Sequence, residues 1–472
     1  MKQYFSITTF ISDLSIVGTA NIGVLVLGVV QGLIIPKILT VEDYGYWKLF
    51  LLYTGFSGLL HLGFTDGIYL DWAGKQMKEL TAALSKAFWV LFAHLIIIGF
   101  SLSIVFLYCG FGSKNILILG LIYAVILNLV TFYQFTFQAV RSFRIVSILN
   151  VIRPLIFMGS VVAIYFLKIL DYEKVILSYI GVCLLAFMIY SYLLKGEIQF
   201  PKRKEVNYFG VLSKYIVSGW PLLFGNFIVF LILNTDMIIV GSLFSIKNFA
   251  FYALAITILG IFSVFTNTIS TVIFPHLAIA STEIKNKAFS MFAAVIVLIW
   301  GIVLGIYPLV ATFISYFLPN YLEILPYIRI LILSVAFITT IQILHNNYYK
   351  LYFQQIRYFL SASVMFLISF SAMFVVARYT YNLKIIAFVK VSILFMWFIT
   401  NELLLMNYVK QSLPSFVKRL LVISCFSGIF WISWYLELLV LQIPFYFVMA
   451  LLIVIIFFKV EIRTLLKLRN VQ

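Results

Sequence analysis

The stretch that decides the fold is NILILGLIYAVILNLVTFYQFTFQAV, residues 115–140, which carries no Asp, Glu, Lys or Arg. The same four residue types are also absent from residues 87–113, 248–282 and 288–322. Each run is long enough for at least one helix across a hydrocarbon core of about 30 Å. Lipid offers the backbone no hydrogen-bond partners, so runs that are apolar on every face form helices. The sequence therefore predicts an all-α, polytopic membrane protein.

The composition of the whole chain supports this class. The 472 residues are 64% hydrophobic and 10% charged, with a mean hydropathy of +1.11, which excludes a water-soluble fold. The apolar runs predict about 14 transmembrane helices. Lys and Arg are concentrated in every second loop, which predicts that both termini are cytoplasmic. Because the net charge of +17 is divided among short loops, we interpret it as topology and contact with membrane lipids, and predict no nucleic-acid binding.

Residue patterns that support catalysis or cofactor binding are missing from the sequence. The three Cys and four His residues are scattered without disulfide or metal-ligand spacing, and no phosphate-binding glycine loop is present. We therefore predict no metal, no cofactor and no enzymatic activity. A membrane polymerase or glycosyltransferase is an alternative, which the short predicted outside loops disfavour.

A basic segment divides the chain. Residues 196–214 contain the run PKRK and predict a cytoplasmic linker between an N-terminal six-helix lobe, residues 1–195, and a C-terminal six-helix lobe, residues 215–408. Residues 409–472 predict two additional transmembrane helices and a basic cytoplasmic tail.

An internal repeat supports this division. A shift of 205 residues aligns TVEDYGYW at 40–47 with SIKNFAFY at 245–252, although chance or the aromatic composition of membrane interfaces is an alternative explanation. Because each lobe has an even number of spans, the two lobes form a parallel repeat, related by a pseudo-twofold axis along the membrane normal. Transporters of this design place the substrate path between the lobes.

Charged side chains inside predicted spans are the first candidate functional residues, because each needs a partner, a hydrated cavity or a route to the interface. For three of them, an alternative is that the side chain reaches a nearby interface; these are Arg153, Arg329 and Glu402. Asp236 and Lys390 lie deeper, and a structural ion pair is their alternative. Asp66 and His61 lie toward the inner end of the second span.

Uncharged polar residues form two stripes along predicted helices. On the fourth span they are Asn128, Thr131, Gln134 and Gln138, and on the eighth Ser263, Thr266, Asn267 and Ser270. Steps of three or four residues place each set on one helix face. Such stripes favour a hydrated path, with hydrogen bonding between helices as the alternative.

Several segments resemble one family. IPKILTVEDYG at 35–45 and LGFTDGIYL at 62–70 resemble the start of bacterial polysaccharide flippases, which belong to the multidrug, oligosaccharidyl-lipid and polysaccharide exporter superfamily. NTDMIIVG at 234–241, then Phe251-Tyr252-Ala253 and Phe274-Pro275, resemble the seventh and eighth spans of that family.

The resemblance implies a flippase in the bacterial cytoplasmic membrane that moves an undecaprenyl-diphosphate-linked oligosaccharide for capsule, exopolysaccharide or O-antigen assembly, by alternating access. A polysaccharide polymerase and assembly machinery would be its partners. The expected diphosphate-binding residues are Arg153, Arg329 and Lys390. The expected sugar-binding residues are Asn128, Gln134, Gln138, Asn226 and Asn267. The expected ion-coupling residues are Asp66, Asp236 and Glu402.

A cation-coupled drug or metabolite exporter of the same superfamily is the main alternative. Such exporters commonly use an aspartate in the first span, whereas this first span has no acid beyond Asp13 at its entrance. A cationic drug as substrate would also predict an acidic cavity, whereas the deepest candidates here are mixed in charge.

Overall fold

The computed structural model describes residues 7–108, 113–199, 207–278, 280–436 and 439–457. Within these ranges the chain is helical and contains no strand, which confirms the predicted all-α class. The first helices are α1 (Ile7–Ile38), α2 (Val41–Thr54), α3 (Phe64–Trp72), α4 (Met77–Tyr108), α5 (Lys114–Ala139), α6 (Phe143–Phe166), α7 (Tyr172–Leu193) and α8 (Tyr208–Leu243). The remaining helices are α9 (Ile246–Ala278), α10 (Thr282–Phe317), α11 (Leu325–Leu331), α12 (Ser334–Thr340), α13 (Asn346–Leu351), α14 (Gln355–Thr380), α15 (Leu383–Met406), α16 (Leu413–Ser433) and α17 (Leu439–Phe457).

Most of these helices can cross a membrane. Among the described residues, nine are long and apolar enough on their own, and a pair bent by 56°, Pro319–Leu331 with Ser334–Leu351, gives a tenth span. Three further helical segments are also apolar but shorter; these are Ile22–Ile38, Ile246–Phe262 and Leu441–Phe457. The polytopic membrane fold is therefore confirmed. The number of 14 spans and the cytoplasmic placement of both termini remain predictions.

Packing divides the chain into two compact units, residues 1–254 and 255–472. The predicted lobe boundary at the basic linker stays a prediction, because residues 200–206 of that linker lie outside the described ranges. The predicted basic tail also lies largely outside them, from residue 458 onward.

The two segments of the predicted repeat begin their helices in the same way. Thr40 Oγ1 accepts a hydrogen bond from the Asp43 backbone N–H at 3.1 Å, and Ser245 Oγ accepts one from the Asn248 N–H at 3.3 Å. A hydroxyl at this position satisfies a backbone donor that the first helical turn leaves free. Positions 40 and 245 thus have equivalent local roles at the starts of α2 and α9.

In the first unit, the segment predicted as the second span is broken, and its second helix, α3, packs tightly on α8. A 3₁₀ turn at Ser57–His61 separates α2 from α3, and Gly63 has a φ of +88°, a left-handed conformation that glycine adopts without strain. A β-carbon added to Gly219 of α8 would lie 2.0 Å from the Gly63 carbonyl oxygen and 2.4 Å from the Gly67 nitrogen. One on Gly67 would lie 2.0 Å from the Tyr215 carbonyl oxygen. Small residues in this arrangement let membrane helices approach backbone to backbone.

Polar contacts continue this packing toward the end of α3. The Trp72 indole N–H donates to the Tyr215 hydroxyl at 3.2 Å, and the Lys214 ammonium pairs with the Asp71 carboxylate at 2.9 Å. Together with the glycines, they make α3 and α8 one interlocked element of the first unit.

In the second unit, a bent span is stabilised by a hydrogen bond to its break. The Trp300 indole of α10 donates to the Ile332 carbonyl at 3.2 Å, between α11 and α12. A π-helical turn, Ile341–His345, follows α12 and ends at His345, whose ring contacts Glu402. Such turns are rare, and they occur frequently at functional sites.

Candidate functional site

The first unit contains a polar cavity of about 270 Å³ between α1, α6 and α7. Its lining residues are Val24, Gln31, Asn150, Arg153, Pro154, Tyr179, Val182 and Cys183. Arg153 follows the start of α6 by ten residues, or about 15 Å along the helix. Arg153 therefore lies near the middle of this 24-residue helix, which is long and apolar enough to cross a membrane.

The guanidinium of Arg153 is the only charged group lining this cavity among the described residues. Arg153 is half-buried and forms no ion pair with any residue in the described part of the chain. A cation at this depth is costly unless it faces water or an anion. The cavity therefore has the charge and the position to hold an anionic group.

Amide side chains hold the walls of the cavity together. The Gln31 Nε2 of α1 donates to the Pro154 carbonyl of α6 at 3.1 Å, and the Gln134 Nε2 of α5 donates to Asn150 Oδ1 at 2.9 Å. Pro154 has no backbone N–H, which removes one helical hydrogen bond next to Arg153. These contacts fix α6 against two neighbouring helices at the level of the cation.

One wall of the cavity is aromatic and rigid. The Tyr179 ring packs at 5.0 Å from Phe157, 5.1 Å from Tyr123 and 5.3 Å from Trp47, measured between ring centroids. Aromatic contacts of this kind add about 0.5–1.5 kcal/mol each beyond burial of area. Tyr179 is thereby held in place beside Arg153.

An apolar groove of about 470 Å³ lies next to the cavity, along α6 and α7. The cavity and the groove share Val182, and the other residues of the groove include Ile156, Ile164, Leu177 and Leu185. Its one cation, Lys174, already pairs with Asp171. The groove therefore presents an almost uniformly apolar surface beside a cationic cavity.

The uncharged polar candidates occupy different environments. Asn128 is buried, and its amide donates to the Ser57 carbonyl at 2.9 Å and the Ala124 carbonyl at 2.7 Å, so it connects α5 to the broken second span. Gln134 braces the cavity, Gln138 is half-buried one turn farther along α5, and Asn226 is exposed on α8. The Asn267 side chain lies outside the described part of the structure. Sugar binding by these residues remains a prediction.

The other two candidate cations lie in the second unit. The Arg329 guanidinium lies 4.2 Å from the Trp431 ring and 4.3 Å from the Trp434 ring, both of α16. Cation–π contacts of this kind stabilise a partly desolvated cation. Lys390 is 5% exposed in α15 and interacts with its surroundings. Neither cation lines the cavity of the first unit.

The three candidate acids are all buried but differ in their partners. Asp236 interacts with the Tyr252 hydroxyl group of α9, and Asp66 lies 3.9 Å from the His61 ring nitrogen Nδ1. Glu402 forms an ion pair with Arg419 of α16, with 2.8 Å between Oε2 and Nη2. An ion-coupling role of these acids remains a prediction.

Glu402 belongs to a buried polar network in the second unit. Its second oxygen, Oε1, lies 3.5 Å from His345 Nε2, and the Gln411 amide donates to Glu402 while accepting from Arg419. The side chains of Glu402 and His345 are fully buried and that of Arg419 is 6% exposed. The network joins the π-helical turn, α15, α16 and the loop between the last two.

Replacing Arg419 with methionine is expected to destabilise the protein by about 3–5 kcal/mol, because Glu402 would remain buried without its cation. The measurement is the thermal unfolding midpoint of the purified protein in detergent. The double variant Glu402→Gln/Arg419→Met removes both charges and is expected to recover most of this loss.

Lys174→Met is the matched control, since it breaks the exposed Asp171–Lys174 pair, whose side chains are about 40% exposed. A loss of at most about 1 kcal/mol is expected there. Equal losses of stability in Arg419→Met and Lys174→Met would show that the buried network stabilises the protein no more than an exposed ion pair does.

Sequence reasoning missed the residues that complete these sites. Gln31, Asn150 and Tyr179 line the cavity, and His345 and Arg419 contact Glu402. The available signal for the first two was an amide inside an apolar span, with Asn150 three positions before Arg153. Arg419 lies within two turns of the start of α16, so it resembles an ordinary interfacial cation in the sequence.

Comparison with known proteins bears on the fold. No protein-family model matches the chain, and no curated protein matches it. Among solved structures, the inward closed conformation of lipid II flippase MurJ matches with a TM-score of 0.71 and 13% identity, over 95% of this chain and 99% of that one. This chain has a MurJ-like fold. The fold implied by the resemblance of the sequence motifs is thereby confirmed.

Two MATE structures match less well than MurJ. The inward-facing form of a multidrug resistance MATE transporter of the MOP superfamily has a TM-score of 0.52 and 12% identity, over 84% of this chain and 96% of that one. A MATE structure in the straight conformation has a TM-score of 0.50 and 14% identity, over 84% and 95%. The MurJ-like fold therefore covers more of the chain and fits it more closely.

Proposed function

We propose that the protein is a flippase that moves an undecaprenyl-diphosphate-linked oligosaccharide across the bacterial cytoplasmic membrane, for capsule, exopolysaccharide or O-antigen assembly. The observation that carries this proposal is the cationic cavity, where Arg153 lies near the middle of the membrane-length helix α6 without a carboxylate partner among the described residues. The MurJ-like fold supports it, since the matched structure is that of a flippase.

The diphosphate is the part of the substrate that the cavity suits. A guanidinium offers two parallel N–H donors to phosphate oxygens, and the interaction is strong where water is scarce. Ligand pockets commonly have about 300–1,000 Å³, so 270 Å³ accommodates a headgroup fragment, not a whole oligosaccharide. The cavity therefore binds the diphosphate, and the sugars extend beyond it.

The apolar groove suits the lipid part of the same molecule. It runs along α6 and α7 and shares Val182 with the cavity, so a prenyl chain lying in it would place its diphosphate beside Arg153. Transport then requires no covalent chemistry, and alternating access moves the headgroup between leaflets while the chain stays in lipid. A polymerase and assembly machinery would use the product at the outer face.

The test is translocation by the purified protein in vesicles. Fluorescent undecaprenyl-diphosphate oligosaccharide is placed in both leaflets, and an impermeant glycosidase reports the fraction that reaches the outside. In empty vesicles only the lipid of the outer leaflet, about half of the total, is digested. With the protein present, we expect the digested fraction to exceed this half and approach completion.

Digestion that stops at the level of empty vesicles, across a panel of repeat units, would contradict the flippase proposal. A cationic dye loaded into the same vesicles tests the exporter alternative. Dye efflux without lipid translocation would establish that alternative, and the MATE-like part of the fold similarity gives it a structural basis.

A further inference from the structure

The break in the second span is lined by polar side chains that satisfy its exposed backbone groups. The Gly63 backbone N–H donates to His61 Nδ1 at 3.0 Å, and the Leu60 carbonyl contacts His94 Nε2 of α4 at 3.1 Å. Asn128 of α5 donates to the Ser57 carbonyl. Within a membrane, a break of this kind persists only where such partners are present.

These contacts determine the protonation of one histidine. Since Nδ1 of His61 accepts from the Gly63 N–H, that nitrogen carries no proton. Nε2 then carries the proton and faces Thr65 Oγ1 at 3.2 Å. His61 is therefore a neutral imidazole whose single lone pair is directed at the break.

Asp66 lies on the other side of that lone pair. It is 7% exposed, its Oδ2 has no hydrogen-bond partner among the described residues, and the distance from Oδ2 to His61 Nδ1 is 3.9 Å. No Lys or Arg in the described ranges pairs with it. Two acceptors thus face each other, and a buried carboxylate without a cation is costly unless it is neutralised.

Neighbouring helices supply no compensating charge. The titratable side chains that contact this segment are His94 of α4, at the 3₁₀ turn, and Lys214 and Tyr215 of α8, at α3. From α5, Asn128 contacts the 3₁₀ turn and Phe132 packs against Trp72 of α3. Lys214 is already paired with Asp71, five residues along α3 from Asp66. A proton is therefore the ligand that suits Asp66.

We propose that Asp66 is a proton-binding site and that its occupancy selects the partner of His61. A proton taken from the aqueous phase onto Oδ2 converts the carboxylate into a neutral acid with an O–H donor. That donor competes with the Gly63 N–H for the one lone pair of Nδ1. Proton binding thereby releases the backbone at the break, where Gly63 packs against Gly219 and Trp220 of α8.

Through such a site, a proton gradient would change how α3 packs on α8. The coupling to transport rests on the proposed flippase function, whereas proton binding itself does not. The two parts are therefore tested by separate measurements.

Proton binding is tested by infrared difference spectroscopy of the full chain in lipid nanodiscs without substrate. As the pH falls from neutral to acidic, we expect wild type to gain the C=O stretch of a protonated carboxyl group, and Asp66→Asn to lack this band. His61→Gln is expected to shift its frequency, because the ring nitrogen that accepts from the O–H would be replaced by an amide group. Asp71→Asn is the matched control on the same helix and should retain the band.

A wild-type protein without the band, or an Asp66→Asn protein that keeps it, would overturn the proposal. Coupling is measured as the dependence of lipid translocation on an imposed pH gradient. Wild type is expected to respond severalfold and Asp66→Asn by less than twofold, with equal affinity for the substrate. If the wild-type rate of lipid translocation does not depend on the pH gradient, the coupling is overturned. If the infrared band is present but no lipid is translocated, only the flippase function is contradicted.

Discussion

Replacing Arg153 with glutamine is expected to lower lipid translocation by about ten- to a hundredfold. The guanidinium is the cation that lines the described cavity, and hydrogen bonds to charged groups contribute about 1.5–3 kcal/mol each. Glutamine retains polarity and much of the volume but cannot compensate the charge of a diphosphate. Arg153→Lys keeps the charge without the two parallel donors, so an intermediate loss is expected.

The measurement is the initial rate of glycosidase-accessible lipid at equal protein density in vesicles. Arg144→Gln is the matched control, since Arg144 lies on the same helix but is exposed near its start, two residues after Ser142. Its rate is expected to stay within about twofold of wild type. Equal rates in wild type and Arg153→Gln would exclude the cavity from the substrate path.

Replacing Gly219 with alanine is expected to destabilise the first unit by at least the 1–3 kcal/mol typical of overpacking. The added β-carbon would lie 2.0 Å from the Gly63 carbonyl oxygen and 2.4 Å from the Gly67 nitrogen. Both are backbone atoms, so no side-chain rotation can relieve the overlap, and α3 and α8 must separate. The proton-binding site at Asp66 belongs to the displaced segment.

Gly225→Ala provides the control on the same helix, because no described atom lies within 4 Å of the position of its β-carbon. The two variants make the same chemical change in α8, and only Gly219→Ala is expected to lower the unfolding midpoint. The midpoint is followed by tryptophan fluorescence on heating in detergent. Similar midpoints for Gly219→Ala and wild type would mean that α3 and α8 are less closely packed than the structure shows.

Position within a helix explains why the sequence identified Arg153 but not the residues around it. A lone cation in an apolar run is visible from residue type alone. Its distance from the interface depends on where α6 begins, and loop residues 141 and 142 place that start ten residues before Arg153. Which amides line the same cavity depends on how α1, α6 and α7 meet, so Gln31 and Asn150 carried only the weaker signal of an amide inside an apolar span.

The same reasoning applies to Glu402 and Asp66, which look alike in the sequence as single acids near the ends of spans. The π-helical turn and α16 bring His345 and Arg419 to Glu402, so its charge is compensated. The break before α3 brings a neutral His61 to Asp66 and no cation from the described residues. Of the two carboxylates, only Asp66 therefore needs a proton to neutralise its charge.

The sequence by itself determined the class of this protein, because the free energy of placing long uncharged runs in lipid depends on residue composition and hardly on neighbours. It also indicated the superfamily fold through short motifs in two regions. The tertiary structure alone decided which polar residues share a cavity, which acid is paired and which glycines touch. Those properties depend on contacts between segments distant in the chain, such as Gly63 with Gly219 and Gln31 with Pro154, whose approach is set by helix breaks and packing.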